Sequence, residues 1–236
     1  MSDRETASLP ARLADVRAEI AAAARRAGRR ADEVALVVVT KSAPDGVFAR
    51  LQAAGALDVG ESRVQAGQQR KASHAGAFVW HLVGHLQSNK ARAAVQAFDV
   101  LHGIDSLELL ARLDAAAADL GRRPRVYLQV NVSGEASKHG LRLADLPAVL
   151  DGARRLEHLE LAGLMTMPPA DDDPEQARPV FAAARLLRDR LAPDLPGLSM
   201  GMSQDFAVAV EEGATCVRVG RRLVENLPEL RGTAAT

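Results

Sequence analysis

Lys41 is the residue best placed for covalent chemistry. It directly follows the apolar, β-branched run Val34-Ala-Leu-Val-Val-Val-Thr40 and precedes a turn, Ser42-Ala-Pro-Asp45. Such a run reads as a buried strand, and the turn signals place the amine at its C-terminal tip. An amine walled by apolar side chains loses its proton more readily and becomes a nucleophile able to form a Schiff base. The chain has thirty basic residues, of which only Lys41, Lys71, Lys90 and Lys138 are lysines. A guanidinium cannot condense with an aldehyde, so a lysine at this point departs from the protein's default cation in the direction of chemistry.

Two further segments suit an anion. Ser199-Met-Gly-Met-Ser203 follows an apolar stretch and leads toward a helix. Val217-Arg-Val-Gly-Arg221 ends a second one. Glycine lets backbone N–H groups approach an anion closely, Ser203 adds a hydroxyl and Arg221 a charge. Loops after the seventh and eighth strands of an α/β barrel recurrently hold phosphate, and the eighth strand lies beside the first. A lysine and a phosphate site on one rim is the pairing that pyridoxal 5′-phosphate requires.

The elements that must position these residues alternate along the chain. Strands are expected at 34–40, 58–60, 79–82, 100–103, 125–132, 159–164, 198–200 and 216–219. Helical stretches are expected at 47–54, 64–72, 90–97, 107–120, 143–156, 175–191 and 205–212. Eight strands with crossover helices predict a (β/α)8 TIM barrel. An open doubly wound sheet usually carries a glycine-rich turn after its first strand, and Thr40-Lys-Ser-Ala-Pro-Asp45 has none. An alanine-rich helix within about 8–28 precedes the barrel, its apolar Leu13, Val16, Ile20 and Ala23 three or four apart. The expected organisation is one domain over 1–236, with the barrel at 34–224 and a tail at 225–236.

Composition narrows the function classes. Thirty acidic residues balance thirty basic ones, which argues against nucleic acid or an anionic membrane as partner. Cys216, the only cysteine, lies in an apolar run and reads as a core residue, so no disulfide framework exists. There is no basic segment followed by an apolar one at the N-terminus and no run of eighteen apolar residues, which predicts a soluble cytoplasmic protein. Asp171-Asp-Asp-Pro-Glu175 reads as a helix N-cap with first-turn carboxylates rather than as a metal site. His81 and His85 are four apart, but Gly84 and the preceding Val79-Trp80 indicate a strand and turn, so no metal site is expected there.

Seven ordered motifs are similar to those of the pyridoxal phosphate homeostasis protein family, also called the proline synthetase co-transcribed bacterial homologue family. They are Val39-Thr-Lys41, Gly60-Glu-Ser-Arg-Val-Gln65, Trp80-His-Leu-Val-Gly-His-Leu-Gln-Ser-Asn-Lys90, Gln129-Val-Asn131 with Glu135 and Lys138, Gly163-Leu-Met-Thr-Met167, Ser199-Met-Gly-Met-Ser203 and Val217-Arg-Val-Gly220. The resemblance implies a barrel like the N-terminal domain of alanine racemase, with Lys41 holding the cofactor as a Schiff base. It implies phosphate contacts from Ser203, Met202 and Gly220, which Arg221, read from its own charge, either joins or crowds, and a pocket lined by Ser62, His81 and Met165. It places Arg218 at the pyridine nitrogen, where a group that only donates keeps that nitrogen unprotonated. Ser62 replaces a usual asparagine, Arg221 a small or hydroxyl residue, and Val224-Glu225 an aromatic-glycine ending.

A two-base racemase needs a second acid or base opposite Lys41. The only tyrosine, Tyr127, lies inside a strand, and little sequence follows Arg231 from which to build another domain. The expected function is therefore a carrier acting in pyridoxal phosphate (vitamin B6) homeostasis as a monomer, without turnover, with apo forms of pyridoxal phosphate enzymes as its partners. The rival is a pyridoxal phosphate-dependent racemase or lyase completed by a partner chain or by His81. A Schiff-base aldolase without cofactor would leave Arg218 with no role.

Overall fold

The computed structural model describes residues 7–74, 76–135 and 139–227. The strands are β1 (Ala35–Val39), β2 (Asp58–Glu61), β3 (Val79–Leu82), β4 (Val100–Ile104), β5 (Arg125–Gln129), β6 (Glu160–Met165), β7 (Gly197–Ser199) and β8 (Cys216–Val219). They pair in sequence order, all parallel, into a closed barrel. β1 meets β8 with Val38 opposite Val219. After α1 (Leu9–Arg26) come the crossover helices α2 (Val47–Ala53), α3 (Val64–Ser73), α4 (Ala91–Ala97), α5 (Leu107–Leu120), α6 (Leu146–Ala153), α7 (Arg178–Leu191) and α8 (Phe206–Glu211), with α9 (Arg221–Val224) after β8. The (β/α)8 barrel expected from the alternation is thus the fold.

Differences from the expected bounds are local. β1 stops at Val39, and β5 stops at Gln129 rather than 132 because Val130 continues only as an isolated bridge to Leu141. The stretch 143–156 is helical only over α6, with a proline at its start. Asp173 does cap the following 3-10 turn, accepting from Glu175 N–H at 3.0 Å.

Successive strand residues point to opposite sides of the barrel wall. Val38, Val59, Trp80, Leu101, Leu128 and Val217 belong to the large core shared with the helices. The alternate positions face the axis, where barrels are usually filled by branched aliphatic side chains. Here Asp58, His81, His102, Tyr127, Ser199 and Arg218 stand there instead, hydrogen-bonded or stacked on one another. Two glycines make room: a Cβ at Gly163 would lie 1.9 Å from the Gly197 carbonyl oxygen, and one at Gly197 would lie 2.8 Å from the Tyr127 ring.

The N-terminal helix packs outside the barrel against α8 and α9, burying Leu13, Val16 and Ile20. Its buried Arg12 donates to the carbonyl of Glu225 at 2.6 Å, and Arg222 pairs with Glu19. Leu223 and Val224 are buried, so the unusual ending after β8 still packs.

Asp99, between α4 and β4, ties three elements together. It accepts from Trp80 N–H at 2.9 Å, Lys71 Nζ at 3.0 Å and Arg122 Nη2 at 2.6 Å. Burial works to raise its carboxyl pKa, but these donors and charges hold it below the ordinary value of 3.8. A carboxyl depressed in the folded state stabilises fully above its unfolded value, and that stabilisation is lost as pH falls through the lowered folded value. Thermal denaturation of Asp99→Asn should therefore show a deficit in melting temperature at about pH 7 that shrinks on acidification below about pH 4. An unchanged deficit at low pH would show that the charge is not what Asp99 contributes.

Candidate functional site

Lys41 stands at the mouth formed by the C-terminal strand ends. Thr40 is buried and bonded to β2, its N–H donating to the Gly60 carbonyl at 2.9 Å, and the chain turns at once as Ala43 N–H closes on the Thr40 carbonyl at 2.8 Å. The lysine lies in this turn and is exposed, which corrects the expectation of an amine walled by apolar side chains. β1 ends two residues before it, so the apolar wall stops short of the amine.

What holds the Lys41 turn was not evident from the sequence. Arg70 of α3 donates from Nη1 to the Thr40 carbonyl at 2.7 Å and from Nη2 to the Ala43 carbonyl at 2.7 Å. Its charge is met by Glu61, 1% exposed, at 2.5 Å, and by Asp45 at 3.3 Å. The Thr40 hydroxyl donates to the same Glu61 carboxylate. One buried ion pair thus grips both ends of the turn that carries the amine.

Beside it, the turns after β7 and β8 approach each other. Gly201 has φ +94°, and a Cβ there would lie 2.6 Å from Ala209 Cβ, so only glycine fits the corner. Ser203 Oγ accepts from Gly220 N–H at 3.3 Å, linking the two turns. A Cβ at Gly220 would come within 3.1 Å of the Val39 carbonyl oxygen, which places this turn against the end of β1. Arg221 is exposed and its guanidinium is unpaired among the described residues. The Met202 N–H, expected to face an anion, donates to Asp205 Oδ1 at 2.6 Å. Burial raises the Asp205 carboxyl above its ordinary value, against the pull of the Met202 N–H.

Below this rim lies the polar axis of the barrel. Arg218, 4% exposed, donates from Nη1 to Ser199 Oγ and from Nη2 toward the Thr166 carbonyl at 3.5 Å. Ser199 Oγ lies 2.8 Å from His102 Nδ1, His102 Nε2 lies 3.0 Å from His81 Nδ1, and His81 Nε2 lies 2.8 Å from Asp58 Oδ1. Burial, with His81 and Arg218 nearby, holds His102 well below its ordinary value, so it is neutral. Tyr127 stacks on His102 at 4.8 Å, and burial pushes its hydroxyl up. Met165 packs against Val100 and Tyr127. Both ring nitrogens of His81 are therefore engaged within the barrel, by partners that pattern and spacing do not reveal.

Ser62 opens on a separate cleft of about 260 Å³ between the loops after β2 and β3, with Arg63, His85 and Lys90. Lys138 lies outside the described residues. His85 is exposed and sits near Asp105 and His139, with its Nδ1 3.7 Å from Asp105. Its ring stacks on that of His139 at 4.5 Å and 19°. Face-to-face rings do not share an in-plane ion, so this cluster is a stacked pair beside a carboxylate.

The family model described as the alanine racemase N-terminal domain matches residues 12–227, which makes the molecule a barrel of the alanine racemase type. An alanine racemase of Clostridium difficile shares this fold at 14% identity with a TM-score of 0.68, covering 81% of this chain and 52% of that one. The pyridoxal phosphate homeostasis protein of Mycobacterium leprae is 40% identical over 94% of this chain and 93% of its own length. That of Escherichia coli is 38% identical over 88% and 92%. The structure of PipY from Synechococcus elongatus with PLP bound aligns at 37% identity with a TM-score of 0.81, covering 92% of this chain and 100% of that one. The chain belongs to the family of pyridoxal phosphate homeostasis proteins.

Removing Arg70 would strand the buried Glu61 carboxylate. Arg70→Met should lower stability by about 3 kcal/mol, measured by urea unfolding, and Glu61→Gln added to Arg70→Met should recover part of the loss. A single-variant loss under about 0.5 kcal/mol would show that the pair does not anchor the turn.

Proposed function

We propose that this chain binds pyridoxal 5′-phosphate through Lys41 and acts in the intracellular homeostasis of that cofactor without turning over a substrate. The observation that carries the reading is Arg218: a buried guanidinium two residues before Gly220, in the strand that borders Lys41. The residues at the mouth fit the cofactor. Lys41 is free to meet an aldehyde, and its amine condenses with one by forming a C=N bond and releasing water, a step that water reverses. The Ser203 hydroxyl and Arg221 supply phosphate donors, and the Gly220 and Met202 N–H groups join them while shared with Ser203 and Asp205. The relatives' name and the PLP bound to PipY support the same reading.

Arg218 also favours a carrier over a catalyst. Bound pyridoxal phosphate supplies an electron sink, and that sink is strongest when the ring nitrogen is protonated. A guanidinium only donates, so at that nitrogen Arg218 would favour the unprotonated form and leave the sink weak. Tyr127, the only tyrosine, is 9% exposed inside the barrel, away from the mouth where a second proton donor would stand. Apo forms of pyridoxal phosphate enzymes are the recipients in this reading, and the carrier works as a cytoplasmic monomer. Among the described residues no helix is long and apolar enough to cross a membrane.

The test is the visible absorption spectrum with and without added pyridoxal phosphate, for the natural chain and Lys41→Ala, followed by borohydride reduction and peptide mapping. A yellow band lost in the variant, with the reduced cofactor mapped to Lys41, is the expected result. Cofactor trapped on Lys90 or Lys138, or no band, would overturn the site. Sustained inversion of an amino-acid enantiomer that depends on Lys41 would overturn the carrier role.

A further inference from the structure

Resting on that reading, we propose that Ser199, His102, His81 and Asp58 are positioning residues that act on the cofactor through Arg218, as one directional hydrogen-bond chain down the barrel axis. The direction follows from what each group can do. Arg218 has no lone pair to offer, so Ser199 Oγ accepts from it. At the other end the Asp58 carboxylate can only accept, so the proton in that contact is on His81 Nε2. With the line fixed at that end, the Ser199 hydroxyl proton goes to His102 Nδ1 at 2.8 Å.

A bare Nδ1 on neutral His102 puts its proton on Nε2, which donates to His81 Nδ1 at 3.0 Å. His81 then carries its own proton on Nε2 and donates to the Asp58 carboxylate at 2.8 Å. Every donor along the line points from Arg218 toward Asp58. Reversing the line would leave a bare His81 Nε2 facing the Asp58 carboxylate, two acceptors with no proton between them. The other groups that face the chain are Tyr127, stacked on His102, and Arg125, whose charge reaches both His102 and Cys216.

The consequence is that the guanidinium is held at one place and orientation by an acceptor line that ends at the opposite end of the barrel wall. Asp58 is the first residue of β2, and its side chain is 22% exposed. Arg218 is the third residue of β8. An Arg218 tethered in this way presents its remaining donor capacity to the mouth without having to reorganise when the cofactor arrives.

Two measurements decide this. In the ligand-free protein, ring-nitrogen NMR at neutral pH should find both His81 and His102 as Nε2–H tautomers. An Nδ1–H tautomer at either, or a doubly protonated His81, would overturn the chain whether or not the cofactor binds. Second, Ser199→Ala should raise the dissociation constant for pyridoxal phosphate about tenfold and shift the pH dependence of its visible band, with Ser199→Thr restoring both. A folded Ser199→Ala with the affinity and band titration of the natural chain would overturn the action through Arg218. If the natural chain binds no pyridoxal phosphate, the cofactor reading fails along with that action, and the tautomers still decide whether the chain exists.

Discussion

A charged guanidinium at the axis of a closed barrel is the constraint around which the interior is arranged. Burial opposes the charge of Arg218 and lowers its pKa from the usual value, so the charge persists only where acceptors and negative groups surround it. The aliphatic layers that fill most barrels cannot supply them. Ser199, the Thr166 carbonyl and, further off, Asp205 do so here, and the requirements of Ser199 pass to the two histidines and Asp58. Tyr127 fills the space beside them because Gly197, on which Gly163 packs closely, has no side chain to block it.

The rim depends on the same economy of polar groups. The loop after β7 spends the Asp205 carboxylate on the Met202 N–H, and the loop after β8 leans on Ser203. The Lys41 turn has no regular structure, yet its carbonyls at Thr40 and Ala43 are fixed by Arg70. The Lys41 amine is thus exposed on a fixed base, which suits the capture of an aldehyde proposed for it.

Much of this was legible in the sequence because it is local. Strand and helix periodicity, the turn after Thr40, and the glycines at 201 and 220 depend on neighbours a few residues away. The seven motifs carried the fold and the family in the same way. Bounds slipped where tertiary context decides, as at Val130, whose continuation is a bridge to Leu141. The interior chain stayed hidden because Asp58, His81, His102, Ser199 and Arg218 meet only after closure sets five strands in register. No spacing rule links Arg70 to the Thr40 carbonyl for the same reason. Lys41 was expected inside the wall because its strand was read one residue too long.

The grip of Arg12 on the Glu225 carbonyl has a temporal side. On the ribosome α1 emerges before the first strand, while α8 and α9, against which it packs, follow the seventh and the eighth. Until then the stripe of Leu13, Val16 and Ile20 lacks those two partners. A helix flanked by charge, with Arg25 and Arg26 closing it, can wait in water. The barrel gains its outer brace only once β8 and α9 have been made.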